Sequence, residues 1–480
     1  MFLKRNCVTL CFLISAALFI SSLWGRPIHI DDVWLAEYSY WLSKLGYVKS
    51  EAMRGFFTAE KQLFVYHKLF QIQGAWLITW FGFKPYVLKS LSLIYVLGTL
   101  PLLGLLYRRG SSNKKYIFLL FALFLAFFHT MNLGFVFRPE THLVFWGLLS
   151  YLLLDSYFES RKKWLLLTSA FISGIGIATH LNGVVFTGAS VLLLWLYRRW
   201  WAGLVFGTVA TWGLLFFFTF DVRSWADLHQ LYLQLTNWRD VSSGKYGWES
   251  VFRIFSETSR YFHSPPEIVY SIMLLLLIFP ARKHVIQFHK RTLYYTGLLS
   301  LCVAQVTHGH NTNYLMYALP FMLVLATWSF EERLSVNHWK TPVAAIGVFL
   351  VVSWGYDISK FWGAYKTHSH KEMQELEVIT EILPEKANVL SHHMLIFPGI
   401  EKLRIQSLVT YRDKVENGLL QATPESLFNE ANKFDIDYVV LNKGNQDFFN
   451  TIQNTYGSFR FMPIPQVENF RVYQRVPTKN

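Results

Sequence analysis

Long apolar segments recur along the first three-quarters of this chain, and they constrain its fold more than any other feature. Of its 480 residues, 52% are hydrophobic and only 16% are charged, whereas soluble domains carry about 25% charged residues. We therefore predict an α-helical polytopic membrane protein with about eleven transmembrane helices. The predicted segments are 7–24, 86–106, 116–133, 141–157, 164–179, 183–197, 201–220, 268–280, 292–306, 314–330 and 341–357.

The chain has a net charge of +14, and its basic residues are distributed according to the order of these segments. Basic residues cluster in alternate loops, and the intervening short loops hold few of them. The clusters are Lys4-Arg5, Arg108-Arg109, Lys114-Lys115, Arg161-Lys162-Lys163, Arg198-Arg199, Arg282-Lys283, Lys290-Arg291, and Arg333 with Lys340. Because cytoplasmic loops are enriched in Lys and Arg, we predict a cytoplasmic N-terminus, and an odd number of helices then places the C-terminal region outside. The excess positive charge therefore marks the cytoplasmic loops, which lie beside the anionic inner leaflet. No nucleic-acid partner is predicted.

This topology divides the chain into two predicted domains. Residues 1–357 form the transmembrane domain, whose outer loop spans 25–85, and residues 358–480 form a small external α/β domain. Strands are predicted at 386–391, 435–441 and 470–473, and helices at 372–382 and 424–434. Helix alternating with strand indicates a small α/β layer.

Cysteine usage and the first apolar segment indicate the cell compartment. All three cysteines lie in apolar segments, and the predicted outer regions hold neither a cysteine nor an N-x-[ST] site. This favours a bacterial inner membrane over a eukaryotic lumen. The first segment has no clear A-x-A cleavage site, so we interpret it as an uncleaved anchor.

Two adjacent acids, Asp31 and Asp32, follow the first apolar segment directly. Carboxylates are costly near hydrocarbon, and a pair at a membrane boundary is a functional-site hypothesis. The alternative is a helix start, where Asp is also favoured. Apolar residues then recur at helical spacing from Trp34 to Leu45, which predicts an amphipathic helix lying at the membrane surface.

Further polar residues are predicted at the same outer level as the two acids. They are Arg138 and Glu140 in one turn, His180 and Asn182 in another, and His308, His310 and Tyr314 before a late helix. Arg138 pairs structurally with Glu140 or Asp32, or else it clamps a phosphate, for which a guanidinium is well shaped. The His308-Gly309-His310 pair is a weak metal signal without a third ligand, so no metal site is predicted.

Three of these segments resemble the GT-C superfamily. Ile30–Tyr38 is similar to the acidic loop motif of protein O-mannosyltransferases and lipid A aminoarabinose transferases. Arg138-Pro139-Glu140 resembles the Arg/Glu element between the third and fourth helices of bacterial members, and Asn313–Pro320 resembles their tyrosine-rich late helix. The likeness covers roughly residues 1–355. Asp32 stands where the family usually has Glu, and His180–Gly183 stands where related chains often have Lys.

The resemblance implies a GT-C glycosyltransferase that moves a single sugar from a polyprenyl-phosphate-linked donor to an envelope acceptor, a lipid, glycan or protein, at the outer face. The absence of a Trp-Trp-Asp motif disfavours transfer of a whole oligosaccharide. Asp31 or Asp32 is implied as the base. The implied substrate-binding residues are Glu37, Tyr66, Arg138, Glu140, His180, Asn182, His308, His310 and Tyr314. No cofactor is predicted, and a divalent metal stays open. The alternative function is a transporter or flippase for a lipid-linked sugar.

Overall fold

The computed structural model describes residues 5–56, 58–111, 113–237, 257–307, 312–336, 338–365, 369–416, 418–443 and 453–476. A helical bundle precedes a small domain with a sheet. The helices of the bundle are α1 (Arg5–Ser22), α2 (Ile30–Leu45), α3 (Lys68–Phe81), α4 (Pro85–Gly110), α5 (Ile117–Ala126), α6 (Phe128–Leu133), α7 (Glu140–Ser160), α8 (Lys163–Thr179), α9 (Val184–Leu196), α10 (Trp200–Ala210), α11 (Trp212–Thr219), α12 (Trp225–Asn237), α13 (Thr258–Tyr261), α14 (Pro265–Ile278), α15 (Arg282–Phe288), α16 (Lys290–Val306), α17 (Leu315–Ser335) and α18 (Lys340–Tyr365).

Helices occupy every predicted transmembrane segment. Within the described ranges, four are long and apolar enough to cross a membrane: Pro85–Gly110, Trp200–Thr219, Thr312–Ser335 and Lys340–Lys360. A fifth span is formed if α14 and α15, which meet at 75°, cross as one unit. Asn6–Ser22, Lys163–Thr179 and Leu181–Leu196 are shorter apolar helices. The predicted segment 116–133 is broken at Phe127, whose extended backbone (φ −70°, ψ 128°) separates α5 from α6.

Helix α2 has clear start and stop signals. The His29 side chain accepts from the backbone of α2 while the Asp32 carboxylate accepts from the backbone of His29, which forms a capping box. Gly46 ends the helix in the left-handed conformation (φ 75°), which glycine adopts without strain. The helix packs against α3 and α4. A helix is therefore present where the amphipathic one was predicted, with both acids in its first turn, and its place at the membrane surface stays a prediction.

The apolar core of the bundle surrounds α17, and 83% of the apolar stretch of this helix is buried.

Close packing of the backbone fixes the turn that follows α8. A Cβ on Gly183 would lie 2.4 Å from the backbone carbon of Gly176, so only glycine lets the turn after α8 sit this tightly on the helix. This packing holds the turn that carries His180 and Asn182.

The C-terminal domain is a six-stranded sheet with helices, in the order β2-β1-β3-β6-β5-β4. Its elements are α19 (Ser369–Ile382), β1 (Asn388–Ser391), α20 (Ile396–Gly399), β2 (Arg404–Ser407), α21 (Leu408–Glu416), α22 (Pro424–Lys433), β3 (Tyr438–Asn442), β4 (Thr455–Tyr456), β5 (Phe459–Met462) and β6 (Phe470–Arg475). Strands β2, β1 and β3 are parallel, and β6, β5 and β4 continue antiparallel. The predicted α/β layer is confirmed, with three strands more than the sequence indicated.

The loop that follows α2 is built into this domain. The Ala52 carbonyl accepts hydrogen bonds from the Ser407 backbone (3.1 Å) and from Thr410 Oγ1 (2.6 Å). One apolar cluster combines α2, this loop, α3 and the domain, with Val33 and Val389 both fully buried in it. We call the end of the bundle where α2 meets the domain the domain side. The predicted boundary at 358 is thus bridged by contacts from the loop after α2.

Candidate active site

Asp31 and Arg138 meet at the domain side. Arg138 Nη1 donates to Asp31 Oδ2, and Arg138 Nε lies 3.1 Å from both carboxylate oxygens of Glu140. The Asp31 side chain stays 34% exposed, whereas that of Glu140 is 2% exposed. Of the two predicted structural partners of Arg138, Glu140 is present, and Asp31 takes the place of Asp32. One guanidinium therefore holds two carboxylates, of which only Asp31 is open to a ligand.

Asp32 is fully buried and serves as an anchor. Its Oδ2 accepts from the backbone N–H of His29 (2.7 Å) and lies 3.8 Å from Lys89 Nζ, while its Oδ1 accepts from the backbone N–H of Phe137 (2.5 Å). These bonds tie the start of α2 to α4 and to the turn that carries Arg138. Both oxygens are occupied, so Asp32 positions the site and does not face a substrate.

The two acids have opposite pKa shifts because their surroundings differ. Burial would raise the pKa of Asp31, but the hydrogen bond with His29 and the charge of Arg138 lower it to about 2. Burial raises the pKa of Asp32, and this outweighs Lys89 and the backbone hydrogen bonds. Asp31 is therefore ionised at any physiological pH and can accept an incoming proton or hydrogen bond.

A stacked pair of imidazoles borders this cluster. The rings of His67 and His180 lie 4.1 Å apart, and His180 Nδ1 accepts from the backbone N–H of Asn182 (2.9 Å). Burial, assisted by the charge of Arg138, lowers the pKa of His180 to about 3. Burial likewise holds the pKa of His67 well below its ordinary value. Both rings are neutral and offer hydrogen bonds without charge.

Tyr66 and Lys68 flank His67 and share one acid. The Tyr66 hydroxyl donates to Asp221 Oδ2 (2.6 Å), and Lys68 Nζ contacts the same oxygen and the Phe64 carbonyl (2.8 Å). The Lys68 ammonium also lies 3.7 Å from the centroid of the Tyr66 ring. Burial lowers the pKa of Lys68 to about 8, although Asp221 opposes this. Tyr66 is therefore part of a buried cation site that adjoins the imidazole pair.

A second buried cation, Arg260, lies on the other side of the cluster. Its Nη2 is 3.0 Å from both Glu257 Oε1 and Thr307 Oγ1. Its guanidinium carbon is 5.7 Å from the centroid of the Tyr314 ring. Tyr314 interacts in turn with Arg138, Glu140 and Asn182. Tyr314 thus lies between the Asp31–Arg138 cluster and Arg260, and Asn182 lies beside Tyr314.

Glu37 lies apart from this cluster, in the base of the following loop. Its oxygens accept from Ser50 Oγ (2.6 Å) and from the backbone N–H groups of Glu51 (2.7 Å) and Ala52 (3.1 Å). The side chain is almost fully buried, and burial raises its pKa to about 7. Glu37 therefore fixes the loop that joins the domain, and the site we propose does not include it.

Solved structures of known proteins resemble this chain along most of its length. ArnT from Cupriavidus metallidurans, bound to undecaprenyl phosphate, matches with a TM-score of 0.59, 12% identity and 98% of both chains covered. The oligosaccharyltransferase AglB from Archaeoglobus fulgidus, in complex with an inhibitory peptide and a dolichol phosphate, matches with a TM-score of 0.53 and 10% identity, over 92% of this chain and 70% of that chain. The chain has a GT-C fold. No protein-family model and no curated protein sequence matches it.

Within this GT-C fold, several site residues were not predicted from the sequence. They are His29, His67, Lys68, Asp221 and Arg260. The run Tyr66-His67-Lys68, three polar or aromatic residues that lead into α3, is the local sequence signal for this part of the site. His308 and His310 lie outside the described residues. In the described ranges, no three His, Cys, Asp or Glu side chains converge to hold a metal ion.

Proposed function

We propose that this protein is a glycosyltransferase that moves a single sugar from a polyprenyl-phosphate-linked donor to an acceptor of the bacterial envelope. The reaction takes place at the outer face of the inner membrane, with the N-terminus cytoplasmic and the domain side outside. The observation that carries the proposal is the ionised, partly exposed Asp31 held by Arg138 at the rim of a GT-C bundle.

The chemistry needs an acid beside the acceptor and cations beside the leaving group. An acceptor hydroxyl attacks the anomeric carbon, a new carbon–oxygen bond forms, and the bond to the lipid phosphate breaks through an oxocarbenium-like state. Asp31 takes the hydroxyl proton, and general base catalysis of this kind contributes about 10²–10⁴-fold. The lipid phosphate leaves with the electron pair of the broken bond.

Arg138 makes donor binding precede proton transfer to Asp31. In the described structure its charge is balanced by Asp31 and Glu140, and its own charge helps to hold the pKa of Asp31 near 2. The donor phosphate competes with Asp31 for the guanidinium, which binds anions in a planar, bidentate manner. When Arg138 turns towards the phosphate, Asp31 loses its counter-ion and becomes a stronger base. Donor binding therefore activates the base.

The remaining cations and an apolar cavity extend the donor site. Lys68 is 2% exposed and Arg260 is 1% exposed, and buried cations stabilise a departing phosphate more strongly than solvated ones. A cavity of about 370 Å³ adjoins Arg260 and is lined by Glu257, Tyr261, Gly297 and Ala304, among others. We assign it to the first isoprenes of the donor, whose phosphate then lies towards Arg260.

The proposal is tested with purified protein and labelled undecaprenyl-phosphate sugars in proteoliposomes, together with an envelope extract as acceptor. A transferase releases undecaprenyl phosphate and passes the label to the extract. A flippase moves the intact donor between leaflets without releasing it. Relocation of uncleaved donor would establish the alternative function, and neither activity in a folded sample that binds no undecaprenyl phosphate would refute both.

A further inference from the structure

A polar cluster of the C-terminal domain lies beside the candidate active site. Ser391, His392 and His393 follow one another at the carboxyl end of β1. The imidazole rings lie 3.9 Å apart. The buried Ser391 Oγ and the Nδ1 atoms of both histidines have no hydrogen-bond partner among the described residues. Buried polar atoms are rarely left without partners, so this cluster calls for a ligand or bound water.

The sheet topology places the cluster where α/β folds bind ligands. Strand β1 pairs with β2 on one side and β3 on the other, all three parallel. The chain therefore leaves β1 towards one edge and returns to its other side, which makes β1/β3 a switch point. Ligands of open α/β sheets bind outside the carboxyl ends of strands at such points. His392 and His393 stand at this position.

The same turn faces Asp31. The short turn His393–Leu395 packs against α2, and His393 interacts electrostatically with both His29 and Asp31. Phe397, four residues later, stacks on Phe83 at 5.3 Å and holds the turn against the bundle. Two elements far apart in sequence thus converge at the one partly exposed acid of the site.

We infer that His393, supported by His392, binds a hydroxyl group of a sugar at the Asp31 site, so that the C-terminal domain completes the site. This rests on the proposed function. An uncharged imidazole offers one donor and one acceptor, and a sugar hydroxyl needs both. Burial keeps both rings neutral, since it lowers the pKa of His392 to about 4 and that of His393 to about 3. The hydroxyl belongs to the donor sugar or to the acceptor.

The test uses the full-length protein with undecaprenyl phosphate, with an undecaprenyl-phosphate hexose that the wild type cleaves, and with the acceptor extract. The variants are His393→Leu and the conservative His393→Gln, and the control is His338→Gln, which is exposed between α17 and α18. We expect unchanged affinity for bare undecaprenyl phosphate in all of them. Loss of one or two hydrogen bonds in His393→Leu weakens sugar binding about 3- to 30-fold, and His393→Gln restores part of it.

The outcomes separate the sources of the hydroxyl. If the hexose-bearing donor binds more weakly while the KM for the extract is unchanged, His393 binds the donor sugar. Unchanged donor affinity with a higher KM for the extract assigns it to the acceptor. If His393→Leu equals the His338→Gln control in both, the inference is overturned while the transferase assignment stands. If the wild type binds no undecaprenyl phosphate, the proposed function fails first and the inference falls with it. Should His393→Leu not fold, His393→Gln decides between these outcomes.

Discussion

The guanidinium of Arg138 contacts the carboxylate of Asp31 across 107 positions of the chain. Glu140 holds the other edge of the same guanidinium, and Asp32 fixes the turn that carries it through the backbone of Phe137. Asp31 and Asp32 therefore have different roles. Asp31 faces the open side of the site, whereas Asp32 joins α2 to the rest of the bundle.

This division predicts different results for two equivalent substitutions. Asp31→Asn removes the base and lowers transfer by about 10²–10⁴-fold, and its cost in thermal stability is small because the ion pair with Arg138 is partly exposed. Asp32→Asn leaves two backbone donors and Lys89 without their anion in a fully buried place, so Tm and expression fall as well. Transfer assays and melting curves on both variants, with the exposed Glu385→Gln as control, measure this. Full activity of folded Asp31→Asn would remove the base from the mechanism.

Arg138 is predicted to act in both binding and stability. Arg138→Ala leaves Glu140 buried without its cation and costs about 3 kcal/mol of folding free energy, which Arg138→Ala with Glu140→Ala recovers. Affinity for undecaprenyl phosphate falls in both variants, because the phosphate ligand is lost in each. Arg138→Lys restores it only in part, since Lys lacks the planar fork. A double variant that regains both stability and affinity for undecaprenyl phosphate would show that Arg138 only forms a structural pair with Glu140.

Lys68 makes the binding of undecaprenyl phosphate depend on pH. Because its pKa lies at about 8, the ammonium is present at neutral pH and is lost as the pH rises above 8. A phosphate monoester is already doubly charged there, so weaker binding reports the loss of Lys68. We expect affinity for undecaprenyl phosphate to fall about tenfold or more between pH 7 and 9.5. Lys68→Met should bind weakly with a flat profile, and the exposed Lys61→Met should follow the wild type.

Glu37 makes stability depend on pH. Its folded pKa of about 7 exceeds the ordinary 4.5, so the folded state keeps a proton that the unfolded state releases. The free energy of unfolding is therefore expected to fall as the pH rises from 4.5 to 7, by up to about 3 kcal/mol. Melting curves between pH 5 and 8 should show this slope in the wild type and a flatter one in Glu37→Gln. An identical slope in both would assign the pH dependence to another group.

Membrane topology is open to direct labelling. In a cysteine-free background, Lys61→Cys and Thr455→Cys are exposed on the domain side, and Lys114→Cys is exposed at the other end of α4. An impermeant thiol reagent should label the first two in intact cells and the third only after lysis. Ser50 is unsuitable for this experiment, because it is fully buried against Glu37. The reverse pattern would invert the topology and move the site to the cytoplasm.

The sequence by itself determined the class of this protein. The length and spacing of apolar segments predicted the helical bundle, because a bilayer accepts few other backbones. The two acids before an amphipathic repeat predicted the start of α2, and the alternation in the tail predicted the α/β layer. Asp31, Arg138, Glu140, Asn182 and Tyr314 stood out because polar residues beside membrane-spanning segments are costly to keep unless they pair or bind a ligand.

Only the tertiary structure decided what each polar residue does. Asp31 and Asp32 are neighbours with the same side chain, and their roles differ because one faces Arg138 and the other points into the start of α2. Arg260 and His393 lie in segments with no motif, and only the structure brings Arg260 next to Tyr314 and the turn after β1 against α2. Sequence periodicity reports which face of an element is buried, whereas contacts between distant elements are set by how those faces pack.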